Sequence, residues 1–148
     1  MTAFDFINST PAPTPFLRGA KRVQYSDFDL SFVKNPFTGD IYKKQDIESL
    51  KQSIKTIVLT NTLEKPFDSL FGGNISDYLF ENIYNTGELQ VEISSQIKRT
   101  IAQKEPRVLV RDVITDVQPE FGTINIKILF EVNTVSEEDI VNITITNA

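Results

Sequence analysis

The sequence predicts an α+β fold: two or three helices packed on a C-terminal three-stranded antiparallel β-meander, preceded by an extended proline-rich arm. Three observations carry that prediction. Apolar residues recur at helical spacing in two stretches before residue 105, and they alternate with polar residues at period two after it. The two signals are also segregated along the chain, which argues against an alternating parallel architecture.

Residues 1–24 carry Pro11, Pro13 and Pro15 at alternate positions, followed by Arg18, Lys21 and Arg22. Alternate prolines cannot propagate a helix and favour an extended, polyproline-like path, so this stretch reads as an arm; a disordered terminus is the plainer alternative. Residues 25–148 read as a single domain, since 148 residues fit one core with some length to spare. Within it "YSDFDLSF" places Phe28, Leu30 and Phe32 on one side, the pattern of a half-buried strand, and "NPFTGDIY" reads as a turn built on Pro36 and Gly39.

From Asp46 the rhythm changes. Ile47, Leu50, Ile54, Ile57 and Val58 share a helical face, Asp46 is placed to cap it, and the helix is expected to end near Thr60. "EKPFDSLFGG" interrupts with Pro66 and Gly72-Gly73 enclosing Phe67, Leu70 and Phe71, a loop expected to pack through Pro66, Phe67, Phe71 and Gly72. "ISDYLFENIY" predicts a short helix showing Tyr78, Leu79 and Ile83 to the core. A stronger helix follows, with Leu89, Ile93, Ile97 and Ile101 at four-residue spacing, acids early and Lys98, Arg99 and Lys104 late, as the helix dipole favours. It should stop at Glu105, because a residue before proline is pushed out of the helical region.

After Pro106 the period is two. Ile124, Ile126, Ile128, Phe130 and Val132 face one way and Thr123, Asn125, Lys127 and Glu131 the other. The preceding run starts with Val108 and Val110, then changes phase to Val113, Thr115 and Val117, which a bulge or a strong twist near Arg111-Asp112 would accommodate. Gln118 to Gly122 closes the hairpin, and a third strand over "IVNITIT" turns Val141, Ile143 and Ile145 inward.

Composition removes much chemistry. A net charge of −5 argues against binding nucleic acid, whose phosphates require a cationic surface, and the apolar runs are far shorter than a bilayer, which argues against a membrane partner. There is no Cys and no His, so disulfides, thiolate nucleophiles, the commonest metal ligands and the commonest general base are missing together. The first 20 residues, broken by Asp5 and three prolines, do not read as a secretory signal, which points to a cytoplasm or a particle assembled there. No phosphate-binding loop, cofactor motif or metal-ligand set is expected. Glu64 with Asp68, or Glu137, Glu138 and Asp139, are the acid groups available for two-carboxylate glycosidase chemistry; the simpler reading is solvated loop acid.

Two features point to partners instead. The stretch Ile140, Val141, Asn142, Ile143, Thr144, Ile145 and Thr146 has none of the Lys, Pro or bulge that usually guards a sheet edge. As an exposed edge it invites a partner strand; as an inner strand it does not. Glu105-Pro106-Arg107 sets a carboxylate and a guanidinium on either side of a rigid ring where helix gives way to sheet. That is either an internal salt bridge fixing the corner or an interaction surface.

The ordered pair of an aromatic loop, Pro66-Phe67 and Phe71-Gly72, and the tripeptide Glu105-Pro106-Arg107 directly before the sheet resembles the baseplate wedge, or sheath-initiator, family of contractile tails. The resemblance covers roughly residues 25–147. It implies a structural role in a virion or injection-machine baseplate, not an enzyme, with wedge proteins and the tail sheath protein as partners and possibly the tail tube. By it, Glu105, Pro106 and Arg107 would dock to the helical core bundle of the wedge, while the hairpin and residues 140–146 would receive sheath strands. Some relatives carry a lysozyme label, which keeps a muralytic glycosidase as the runner-up. Arg18, Lys21 and Arg22 would meet the tube or an acidic groove on a neighbour.

Overall fold

The computed structural model of the protein describes residues 25–79, 86–133 and 138–146. Arg18, Lys21 and Arg22, the proline-rich stretch, Ile83 and Glu137 lie outside the described residues.

The chain enters through a small hairpin of β1 (Ser26–Phe28) and β2 (Lys43–Gln45), paired antiparallel with Ser26 opposite Gln45. The half-buried strand expected over residues 25–32 is not what forms. The Asp29 side chain accepts the Ser31 N–H at 3.0 Å and its carbonyl accepts the Phe32 N–H at 3.1 Å, a local turn that stops the extended run. Phe28, Leu30 and Phe32 are consequently more than half exposed. Gly39, at φ +73°, makes the expected turn between the two strands.

Helix α1 (Ile47–Leu59) buries Leu50, Ile54, Ile57 and Val58, the residues its period selects. Asp46 stands at the N-cap position without capping through its side chain, which instead accepts the Tyr25 N–H at 3.4 Å. The loop that follows is pinched at its neck, where the Gly73 N–H donates to the Thr60 carbonyl at 3.1 Å. A 3-10 turn over Ile75–Leu79 replaces the first part of the expected short helix; Ile75 is wholly buried, and Tyr78 and Leu79 pack against the core.

Helix α2 (Thr86–Lys104) buries Leu89, Ile93, Ile97 and Ile101, with Glu88 in its first turn and Lys104 in its last. It ends one residue before Glu105, as the following proline requires. The three-stranded sheet then runs β3 (Val108–Gln118), β4 (Thr123–Val132) and β5 (Glu138–Thr146), antiparallel in that order. Register shifts between Val110 and Asp112, the bulge the phase change demands, so Val108, Val113, Thr115 and Val117 all stay on the buried face. Gly122, left-handed at φ +54°, closes the β3–β4 turn.

Both helices lie on one face of the sheet, α2 against β3 and α1 against β5. Ile124, Ile126, Ile128, Phe130 and Val132 of the central strand form the floor of the core. Each fully buried side chain of this size contributes about 1.5–3 kcal/mol, so the period-two pattern of β4 holds the layers together. The geometry leaves the corner after α2 at one side of the sheet and the edge of β5 at the other.

Candidate functional site

At the corner, Glu105 is 3% exposed. Its carboxylate accepts the Ser53 hydroxyl of α1 at 2.6 Å and both Nε and Nη2 of Arg107 at 2.5 Å. Burial pushes this carboxyl up, but the two guanidinium hydrogen bonds, Ser53 and the Arg107 charge outweigh it, and the net direction is below the ordinary range. Arg107, raised by the same hydrogen bonds, lies 4.9 Å from the centre of the Tyr25 ring. Its side chain is 42% exposed, so the ion pair is internal on one side and open to solvent on the other. Asn133, just past β4, completes the corner by donating Nδ2–H to the Pro106 carbonyl at 2.8 Å and its backbone N–H to the Arg107 carbonyl at 3.1 Å. Pairing through Ser53, Tyr25 and Asn133 was not legible in advance; a serine in the middle of α1 and an asparagine ending an apolar strand were the available signals.

Beside the corner lies the 61–72 loop, joined to it by the Lys104–Asp68 ion pair at 3.4 Å. Of the four residues named for loop packing, Phe71 packs against the core and Gly72 is buried, whereas Pro66 and Phe67 are exposed. Phe71 packs against the core with Lys65 Nζ 3.7 Å above its ring, and Gly72 is buried at φ +104°, where an added Cβ would come within 2.2 Å of the Thr60 carbonyl oxygen. Phe67 is fully exposed, with φ +66°, and Pro66, Leu63 and Leu70 are exposed as well. The neck is pinched by the Gly73–Thr60 hydrogen bond, and the residues beside it are the ones that reach the core.

At the other side, β5 is paired with β4 from Glu131–Glu138 to Thr123–Thr146 and with no other strand among the described residues. Val141, Ile143 and Ile145 are buried; Ile140, Asn142, Thr144 and Thr146 are exposed. Lys51 of α1 anchors the strand through Asp139 at 2.8 Å, an ion pair that raises the lysine and, against burial, lowers the carboxyl.

The acid groups singled out from sequence are engaged locally. Glu64 accepts the backbone N–H and the side chain of Asn61, Asp68 pairs with Lys104, and Asp139 pairs with Lys51. Among the described residues, Asp29, Glu105, Asp112 and Asp139 are held below the ordinary carboxylate range by the hydrogen bonds and cations around them. Among the described residues no cluster of three or more metal-ligating side chains occurs, and no helix is long and apolar enough to cross a membrane.

Residues 44–137, which span α1, the loop, the corner and most of the sheet, match the family described as baseplate wedge protein gp25. The chain belongs to the baseplate wedge protein gp25 family. That family is one of baseplate wedge proteins. Baseplate wedge protein gp25 of Enterobacteria phage T4 is 32% identical over 84 residues, covering 57% of this chain and 61% of the T4 protein, so the alignment spans less than two thirds of that relative. Two solved structures share the wedge-family fold. One is a putative tail lysozyme from Geobacter sulfurreducens, with a TM-score of 0.61, 22% identity, and coverage of 68% of this chain and 90% of that one. The other belongs to the anti-feeding prophage baseplate, with a TM-score of 0.57, 24% identity, and coverage of 81% and 83%.

Proposed function

We propose that this wedge-family protein is a non-enzymatic assembly element that docks to the core bundle of the wedge through its helix–sheet corner and templates the first sheath ring through β5. The free edge of β5 carries the reading. It is nine residues long, paired on one side only among the described residues, and lacks the lysine, proline or bulge that would repel a foreign strand. A sheath subunit adding a strand there would gain main-chain hydrogen bonds without new side-chain design, which suits a template for a repeating polymer.

Docking is supported by the neighbouring surfaces. The half-exposed Arg107 guanidinium and exposed Pro106 offer cationic and apolar contact, and the neighbouring loop adds the exposed Leu63, Phe67 and Leu70, a combination suited to a helical bundle. Reversing the charge of Arg107 is a poor probe of this role, because it would set a second carboxylate against buried Glu105. Phe67→Ser is a clean one: the side chain touches no core, so the fold survives and incorporation into the baseplate should fall sharply. Baseplates that take up Phe67→Ser at the normal level would count against docking through this face. For templating, tails assembled with Asn142→Pro or Thr144→Pro protein should carry baseplates without sheath. Normal sheaths on such particles would remove the augmentation model. The runner-up, a muralytic glycosidase, rests on the name of one fold neighbour; cell-wall clearing by purified protein, lost in Glu64→Gln or Asp68→Asn, is the result that would favour it.

A further inference from the structure

Helix α1 packs beside β5, whose outer edge is unpaired among the described residues. Between them lies an open cleft of about 520 Å³, lined by Lys51, Lys55 and Leu59 on one face of α1, by Leu30 beyond the β1 turn, and by Ile140 and Asn142 of β5. A strand added to β5 would run beneath this roof, with alternate side chains turned up toward α1. The roof is cationic at its centre. Lys51 is engaged by Glu48 at 3.1 Å and by Asp139 at 2.8 Å, and Lys44 is within 3.7 Å of Asp29, whereas Lys55 is exposed with no ion-pair partner among the described residues. Leu59 and Leu30, both substantially exposed, offer apolar contact on either side of it.

Resting on the augmentation reading above, we infer that the cleft selects its strand by charge: the incoming segment carries a carboxylate that meets Lys55 and apolar side chains that settle against Leu30 and Leu59. Main-chain pairing alone is indifferent to sequence, so a side-chain contact from the roof is what distinguishes one extended segment from another. The surrounding protein is acidic, at −5 overall, and a lone lysine over the groove gives the approaching acid a local target in a field that otherwise repels it.

The probe is a set of capped nine-residue peptides of alternating Thr and Val with Glu, Gln or Lys at the centre, added to the full-length protein and followed by backbone amide shifts and titration. The Glu peptide should bind at residues 140–146 and α1, about five- to tenfold tighter than the Lys peptide at low salt, with the gap closing in 0.5 M NaCl. Lys55→Glu should reverse the order of the two peptides. An N-methyl group on alternate residues of the Glu peptide should abolish binding with the protein untouched. If methylation abolishes binding but Lys55→Glu leaves the order unchanged, augmentation stands and charge selection is wrong. If methylated and plain peptides bind alike, or none binds at β5, augmentation itself is wrong and the inference falls with it.

Discussion

Glu105 is a carboxylate with almost no access to water, and what holds it ionised is a fork of two guanidinium hydrogen bonds and one hydroxyl. Removing either partner of such a pair costs more than the pair is worth, because the survivor keeps its desolvation penalty. Arg107→Ala should therefore destabilise the protein by about 2–4 kcal/mol in urea denaturation, more than Glu105→Gln at about 1–3 kcal/mol, since the half-exposed guanidinium can return to water and the buried carboxylate cannot. The pH dependence has a definite sign. Because the native carboxyl titrates below its ordinary value of 4.5, its stabilisation is complete above that value and is lost as pH falls through the lower native one. The urea midpoints of wild type and Glu105→Gln should thus be farthest apart near pH 7 and converge below about pH 4. A gap that widens on acidification would show that the corner is held by something other than this ion pair.

The sheet was the most legible element and the entry hairpin the least, for the same physical reason. Burial of one face imposes a period-two code that survives in Ile124, Ile126, Ile128, Phe130 and Val132, and even the phase change at the bulge can be read from Val110 to Val113. The hairpin buries little, so nothing constrains its pattern; Phe28, Leu30 and Phe32 alternate like a strand yet sit in a turn fixed by Asp29. Phe67 misled similarly, because an aromatic residue in a loop reads as an anchor whether it points inward or outward. The register code makes an asymmetric prediction. Deleting Arg111 removes the bulge but leaves every inward valine of β3 inward, and should cost no more than about 3 kcal/mol. One residue inserted between Ile126 and Lys127 turns Ile128, Phe130 and Val132 outward and should abolish the cooperative transition seen by circular dichroism. Equal tolerance of the two changes would mean that packing against the helices does not set the register.

At the scale of the molecule, the described core is closed by two helices and one sheet contributed by residues 47–145. If residues 25–148 form the folding unit, removing residues 1–24 should leave the urea midpoint and its slope unchanged, while any partner of Arg18, Lys21 and Arg22 would be lost; a shallower slope would show that the arm is part of the folded surface. The fold class could be read from sequence, since helix period and strand period are local. Ser53, Tyr25 and Asn133 could not, because their contacts join positions that only the folded chain brings together. The ties of Asn133 also have a mechanical meaning. Tension applied along β5 is shared by nine paired positions in shear, passes into β4, and reaches the corner through the ten paired positions of β3 and β4, with the two Asn133 hydrogen bonds to Pro106 and Arg107 beside them. A pull on the last strand would thus travel to the helix–sheet corner along hydrogen-bonded backbone throughout.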